Sequence, residues 1–271
     1  MKRILCPTDF SPASLNGINY AASLARDTGS ELALLNVQPL SEAAPAEFVA
    51  EAESSIKAAK GRLEVICAEV SATFGIRCTA GVEPTYDKPT TIISEKSQES
   101  DLLIMGSNGA DDLYQFFFGS NTYNALVKAK TPALIIPEGQ EYTAIRTIVY
   151  AFDYLSEGKL PIGPLEDFAR TLKASVTVLQ VMEEAISEVV DQDLKDMQLI
   201  VQSKTPDFPL NFETIRSSDV PKSIDSFVVR SKPDALALCS QSRNFIENMF
   251  HRSVIKNISA ICSYPVYVFP E

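Results

Sequence analysis

Three glycines and a serine carry the first chemical signal in this chain. Gly106, Gly109, Gly119 and Ser120 are spaced Gly-x2-Gly-x9-Gly-Ser. They follow an apolar run, Asp101 to Met105, and lead into a segment with helical periodicity from about Ser120 to Lys130. In that setting the free N–H groups of a helix start, together with the helix dipole, favour a phosphate. Gly106 at the strand end lets a ligand approach the backbone, and Gly109 permits a positive φ. Gly119 opens the helix, and Ser120 adds a hydroxyl donor. The loop lies at the carboxyl end of a strand, where open α/β sheets hold their ligands. Other phosphate signatures are missing. There is no G-x-x-x-x-G-K-[ST], no G-x-G-x-x-G after the first strand, and no G-x-S-x-G elbow.

The elements that must position this loop follow one another as strand and helix. Ile4-Leu5-Cys6 reads as a buried strand running into Pro7-Thr8-Asp9, with Ser11 or Ser14 as the cap of the next helix and Pro12 in its first turn. Thr28-Gly29-Ser30 stops that helix, and Glu31 to Gln38 is the second strand. A long helical pattern runs from Ser41 to Phe74, its helix proper starting near Pro45. A third strand is expected over Ile76 to Val82, and a helix over Thr85 to Ser97. Ala133 to Ile136 closes the set. Near-continuous apolar strands alternating with helices predict a parallel sheet covered on both faces.

The pattern then repeats after a short polar linker, Gly139 to Ala144. Arg146 to Asp153 mirrors Lys2 to Asp9, and Ser175 to Met182 mirrors Glu31 to Gln38. Helices are expected over Leu165 to Lys173, onward from Glu183, and over Val220 to Arg230, with a short strand at Phe212 to Ile215. Asp234 to Leu238 mirrors Asp101 to Met105, and Val266 to Phe269 mirrors Ala133 to Ile136. A shift of 133 aligns the final segment without a gap, while the starts align at 144. Two α/β units are therefore expected, at 1–139 and 145–271, each near the usual domain size. Two similar folds in one chain are expected to pack about a pseudo-two-fold axis.

Composition narrows the partners. The 271 residues carry a net charge of −11, without a run of Lys or Arg, which argues against general binding to nucleic acid or anionic membrane. No apolar segment approaches the ~20 residues needed to cross a bilayer, and the start is too short in apolar residues for a signal peptide. A cytoplasmic location is the expectation. Five widely spaced cysteines without C-x-x-C suggest reduced thiols rather than a zinc site or a disulfide framework. A single histidine, His251, leaves little for a His-based triad or a multi-histidine metal site.

The glycine loop, the opening CPTDFSPAS and the LLNV stretch ending in Val37 together resemble the universal stress protein family. Its nucleotide signature is G-x2-G-x9-G-[ST], after an apolar strand and before a helix and a strand ending in Pro. The resemblance spans the chain as two tandem copies, strong in the first and weak in the second. It implies two Rossmann-like units, each a five-stranded parallel sheet of order 3-2-1-4-5 with helices on both faces. It also implies ATP or another adenine nucleotide as ligand of the first unit. Asp9 and Val37 would meet the adenosine part, with Pro7 and Thr8 beside them. Gly106, Gly109, Gly119, Ser120 and Asn121 would hold the phosphates, with Ser107 next to them. Physically, Asp9 suits a ribose hydroxyl, and Val37 and Met105 suit an adenine slot.

Asp111 and Asp112 read as solvated loop carboxylates, with recruitment of Mg²⁺ as the alternative. Phe116-Phe117-Phe118 reads as an anchor of the loop. In the second copy Cys239, Ser242 and Arg252 stand where Gly106, Gly109 and Gly119 stand in the first, and only Ser253 and Asp153 persist. No nucleotide is expected there. The chain reads as a stress-response regulator, at most a slow ATPase, because no residue set supplies a general base or nucleophile beside the phosphates. The alternative is a nucleotide-independent scaffold whose acidic surface binds a protein partner. Further homodimerisation is left open.

Overall fold

The computed structural model describes residues 1–40, 47–107, 131–152, 160–182, 188–205, 208–240 and 263–270. It divides into two compact units, the chain leaving the first after Tyr142 and entering the second at Thr143.

The first unit runs β1 (Arg3–Pro7), α1 (Pro12–Thr28), β2 (Glu31–Pro39), α2 (Glu47–Phe74), β3 (Cys78–Thr85), α3 (Pro89–Ser97), β4 (Leu102–Ser107) and β5 (Ala133–Pro137). Its strands pair in parallel in the order β3-β2-β1-β4-β5. The register sets Leu5 against Ala33, Ile4 against Leu102 and Met105 against Ile135. Ile4, Leu5 and Cys6 are buried in succession, as are Leu102, Leu103 and Ile104. Burial of consecutive residues means that both faces of the sheet are covered.

Local chemistry explains the ends of α1. The Ser11 hydroxyl accepts from the Ser14 amide at 3.3 Å, Pro12 sits in the first turn, and Gly29 closes the helix at φ 67°. These are the cap and stop expected from the sequence. β3 begins later than expected and runs on to Thr85, whose hydroxyl accepts from the Asp87 amide at 2.9 Å. That turn delays α3 until Pro89. The segment after β5, read from sequence as a linker, belongs in part to the first unit. Asn16 donates to the Pro137 and Gln140 carbonyls, and Tyr142 packs edge-on to Tyr20 and donates to Asp27.

The second unit runs β6 (Thr147–Phe152), α4 (Gly163–Leu172), β7 (Ser175–Met182), α5 (Glu188–Lys204), β8 (Leu210–Arg216), α6 (Val220–Ser231), β9 (Ala235–Cys239) and β10 (Val266–Phe269). Its parallel order is β8-β7-β6-β9-β10, the same topology as the first. Its core is more aromatic. Phe168 stacks on Tyr267 at 4.0 Å between ring centroids, and Tyr150 meets Phe269 edge-on at 5.3 Å. The Tyr267 hydroxyl donates to the Pro164 carbonyl, which satisfies the one polar atom of a buried ring.

One device is common to both units. Asp101 precedes β4, and its carboxylate accepts from the Lys2 and Arg3 amides at 2.6 and 3.0 Å. Asp234 precedes β9 and accepts from the Arg146 and Thr147 amides, both at 2.8 Å. In each unit an acidic side chain thus clamps the start of the central strand. Among the described residues no helix is long and apolar enough to cross a membrane.

Candidate functional site

The β1–α1 turn is densely hydrogen-bonded. β1 ends at Pro7, and the Thr8 amide continues the ladder to the Leu35 carbonyl at 2.8 Å. Thr8 is buried. Its hydroxyl is hydrogen-bonded to Ser14 Oγ at 2.9 Å, and Ser14 Oγ in turn lies 3.0 Å from the Ser11 carbonyl. The same Thr8 oxygen accepts from the Phe10 amide at 3.0 Å. Asn36 on β2 donates to the Thr8 carbonyl at 2.7 Å, so every polar atom of Thr8 is engaged.

Asp9 stands exposed on this fixed platform. Its Oδ1 accepts from the Ser11 amide at 2.9 Å. Partial burial acts to raise its carboxyl, but the hydrogen bonds from Ser11 and Ser14 outweigh it and hold the group below the usual carboxylate range. Asp9 is therefore a carboxylate at neutral pH, an acceptor suited to hydroxyl or amine donors. Phe10, next to it, has φ 66°, an uncommon conformation for a bulky residue. The Arg62 guanidinium of α2 lies over the Phe10 ring, 4.4 Å from its centroid. A strained residue steadied from a neighbouring helix beside an ionised group is a pattern found at ligand sites.

Parallel topology brings the other expected residues to the same end of the sheet. Pro7 ends β1, Val37 lies near the end of β2, and Met105, Gly106 and Ser107 end β4. Val37, Met105 and Gly106 are half-buried, whereas Ser107 is buried and its carbonyl accepts from the Glu138 amide at 2.8 Å. β1 and β4 are neighbours although β2 and β3 lie between them in sequence, so this end of the sheet contains the topological switch point.

Gly106 has a packing reason of its own. A Cβ there would overlap the Ala13 carbonyl oxygen in the first turn of α1, and a Cβ on Gly17 would lie 2.8 Å from the Gly106 nitrogen. The two glycines let α1 settle on β4 backbone to backbone. Gly109, Gly119, Ser120 and Asn121 lie outside the described residues, as do Asp111, Asp112 and Phe116 to Phe118.

Asn36, Phe10 and Arg62 were not singled out from the sequence. For Asn36 a signal existed, since it is a polar residue inside the apolar run ELALLNV. Nothing in the sequence pointed to the conformation of Phe10 or the pairing with Arg62. In the second unit Cys239, at the place of Gly106, is buried, and Asp153 lies outside the described residues. Among the described residues no group of three or more His, Cys, Asp or Glu side chains could hold a metal ion.

With this geometry established, comparison with known proteins adds the following. The model of the universal stress protein family matches residues 1–137. No curated protein matches the chain. Among solved structures, a universal stress protein from Archaeoglobus fulgidus is similar with a TM-score of 0.69 at 15% identity, over 99% of this chain and 96% of that one. A functionally unknown protein from Pseudomonas aeruginosa PAO1 is similar with a TM-score of 0.60 at 16% identity, over 100% and 92%. At such identities the likeness is one of fold.

Proposed function

The chain belongs to the universal stress protein family, and from that premise we propose that its first unit binds ATP or another adenine nucleotide as the regulatory signal of a stress response. The observation that carries the reading is the convergence of an ionised Asp9, Val37, Met105 and the Gly106–Ser107 strand end at one end of a parallel sheet. Asp9 would accept from the ribose hydroxyls, and Val37 and Met105 would flank the base. Gly106, Gly109, Gly119, Ser120 and Asn121 would hold the phosphates through backbone N–H groups and the Ser120 hydroxyl. Pro7 and Thr8 would set the floor beneath Asp9, with Ser107 beside the phosphate loop. The second unit would bind no nucleotide and serve as the structural partner of the first.

Titration calorimetry with ATP tests this. Saturable binding is expected, weakened about tenfold by Asp9→Ala, the worth of one hydrogen bond to a charged group. Repeating the titration with EDTA reads whether Mg²⁺ takes part. Absence of heat at millimolar ATP, with the protein folded, overturns the reading.

A nucleotide-independent scaffold is the rival, and one observation favours it. Gly106 is required by the approach of α1 to β4, so its presence does not by itself call for a ligand. Gly119→Glu separates the two. Under the nucleotide reading it abolishes ATP binding without lowering the melting temperature. Under the scaffold reading there is no ATP binding to lose.

A further inference from the structure

Two cysteines in the first unit lie outside the candidate site. Cys67 is on the last third of α2, and Cys78 is the first residue of β3. Their Sγ atoms are 2.6 Å apart, with the residues eleven positions apart in sequence. A bonded pair sits at ~2.05 Å, so only a small closing movement separates these two sulfurs from a disulfide. The helix and the edge strand therefore bring the two side chains sulfur to sulfur. Both are free thiols in this structure. Cys67 is 8% exposed, whereas Cys78 is half-buried, on the edge strand.

We infer that Cys67 and Cys78 form a modification site, a thiol pair that closes to an intramolecular disulfide when a small-molecule disulfide accumulates. In the first step the Cys78 thiolate attacks one sulfur of the reagent, forming a mixed disulfide. The other half leaves as a thiolate and takes up the proton that Cys78 lost. In the second step the Cys67 thiolate attacks the Cys78 sulfur. The Cys67–Cys78 bond forms, and the second half of the reagent leaves as a thiol with the proton from Cys67. Two electrons pass from the pair to the reagent, which is reduced to two thiols.

Burial pushes both thiols up, so the attacking thiolates are scarce at neutral pH and closure is slow. Proximity favours the second step over accumulation of the mixed disulfide. Closure pins α2 to an edge strand whose only ladder among the described residues is with β2. The same helix carries Leu63, fully buried, and Arg62, which lies over Phe10. The bond would thus fix the helix that steadies the turn bearing Asp9.

The test uses the full chain with glutathione disulfide as the probe. Free thiols are trapped with N-ethylmaleimide in denaturant, before and after exposure, and mapped by peptide mass spectrometry. Expected are two fewer maleimide adducts, both lost at Cys67 and Cys78, and a linked peptide pair without retained glutathione. Dithiothreitol should restore both. Unfolding without reductant should shift up by about 5 °C, since the bond closes a short loop in the unfolded chain. Cys78→Ser should abolish the linked pair and the shift, whereas Cys239→Ser should leave both. A lasting glutathione adduct on Cys78 alone overturns the proposal, and so do five adducts before and after exposure. Because the wild-type peptide map decides the matter, the conclusion survives a variant that fails to fold.

Discussion

The two units share a topology, and the sequence differs where the first unit seats α1 on β4. In the first, α1 starts five residues after β1 ends, and its opening turns lie against the β4 backbone through Ala13, Gly17 and Gly106. In the second, the described residues 160–162 lie outside any helix and α4 begins at Gly163. At the 144-residue shift Pro161 stands at the place of Gly17, and a buried Cys239 fills the place of Gly106. The two glycines of the first copy belong to the close approach of α1 to β4. A glycine that looks like part of a phosphate loop is also what lets a helix reach the sheet. In the second copy the matching place is taken by a buried side chain.

The largest effect expected to test this contrast is at Gly106. Gly106→Val should destabilise the first unit by about 3 kcal/mol or more, because the new side chain meets backbone that has nowhere to go. Cys239→Val in the second unit should cost less than about 1.5 kcal/mol, a modest swap at a site already built for a side chain. Chemical unfolding, with hydrogen exchange to tell the units apart, reads both. Equal costs would break the comparison.

Asn36→Ala comes next. It removes the buried donor to the Thr8 carbonyl and should cost about 2 kcal/mol in the first unit, with faster amide exchange at Phe10 and Ser11. Exchange in the second unit should not change.

The shared clamp should behave alike in the two halves. Asp101→Ala and Asp234→Ala should each cost about 1 kcal/mol, read by the same unfolding curves.

The smallest effect is one of pH. Partial burial acts to raise the Asp101 carboxyl, but the Lys2 and Arg3 amides and the nearby N-terminus outweigh it and hold the group low. A depressed folded value means that its contribution is present above the unfolded pKa of ~3.9 and is lost as pH falls through the folded value. Acid titration of wild type and Asp101→Asn should converge in that window.

Much of the fold was readable because its signals are local. The Ser11 cap, Pro12 and Gly29 bound α1 by their own chemistry. Apolar runs at Leu102 and Ala133, each bounded by turn residues, announced buried strands. Duplication reinforced each of these readings, since Ser175–Met182 and Val266–Phe269 could be matched to earlier strands. What escaped was set by contacts between distant residues. The late start and late end of β3 follow from its ladder with β2 and from the Thr85 turn, neither of which leaves a periodic trace. At the candidate site the residue types at the strand ends were legible. The packing role of Gly106 was not, because it depends on where a helix from another part of the chain comes to rest.

The Asp101 clamp also bears on how the protein is made. It joins amides at the very start of the chain to a carboxylate 98 and 99 residues later, and β4, the second neighbour of β1, follows directly after it. During synthesis at ~5–20 residues per second, the central strand has β2 alongside while its other edge stays open for roughly 3–13 s. Ile4 and Leu5 thus belong to an unpaired apolar edge on a growing chain. That interval, rather than any weakness of the finished sheet, is when the nascent protein is most prone to aggregate and most in need of a chaperone.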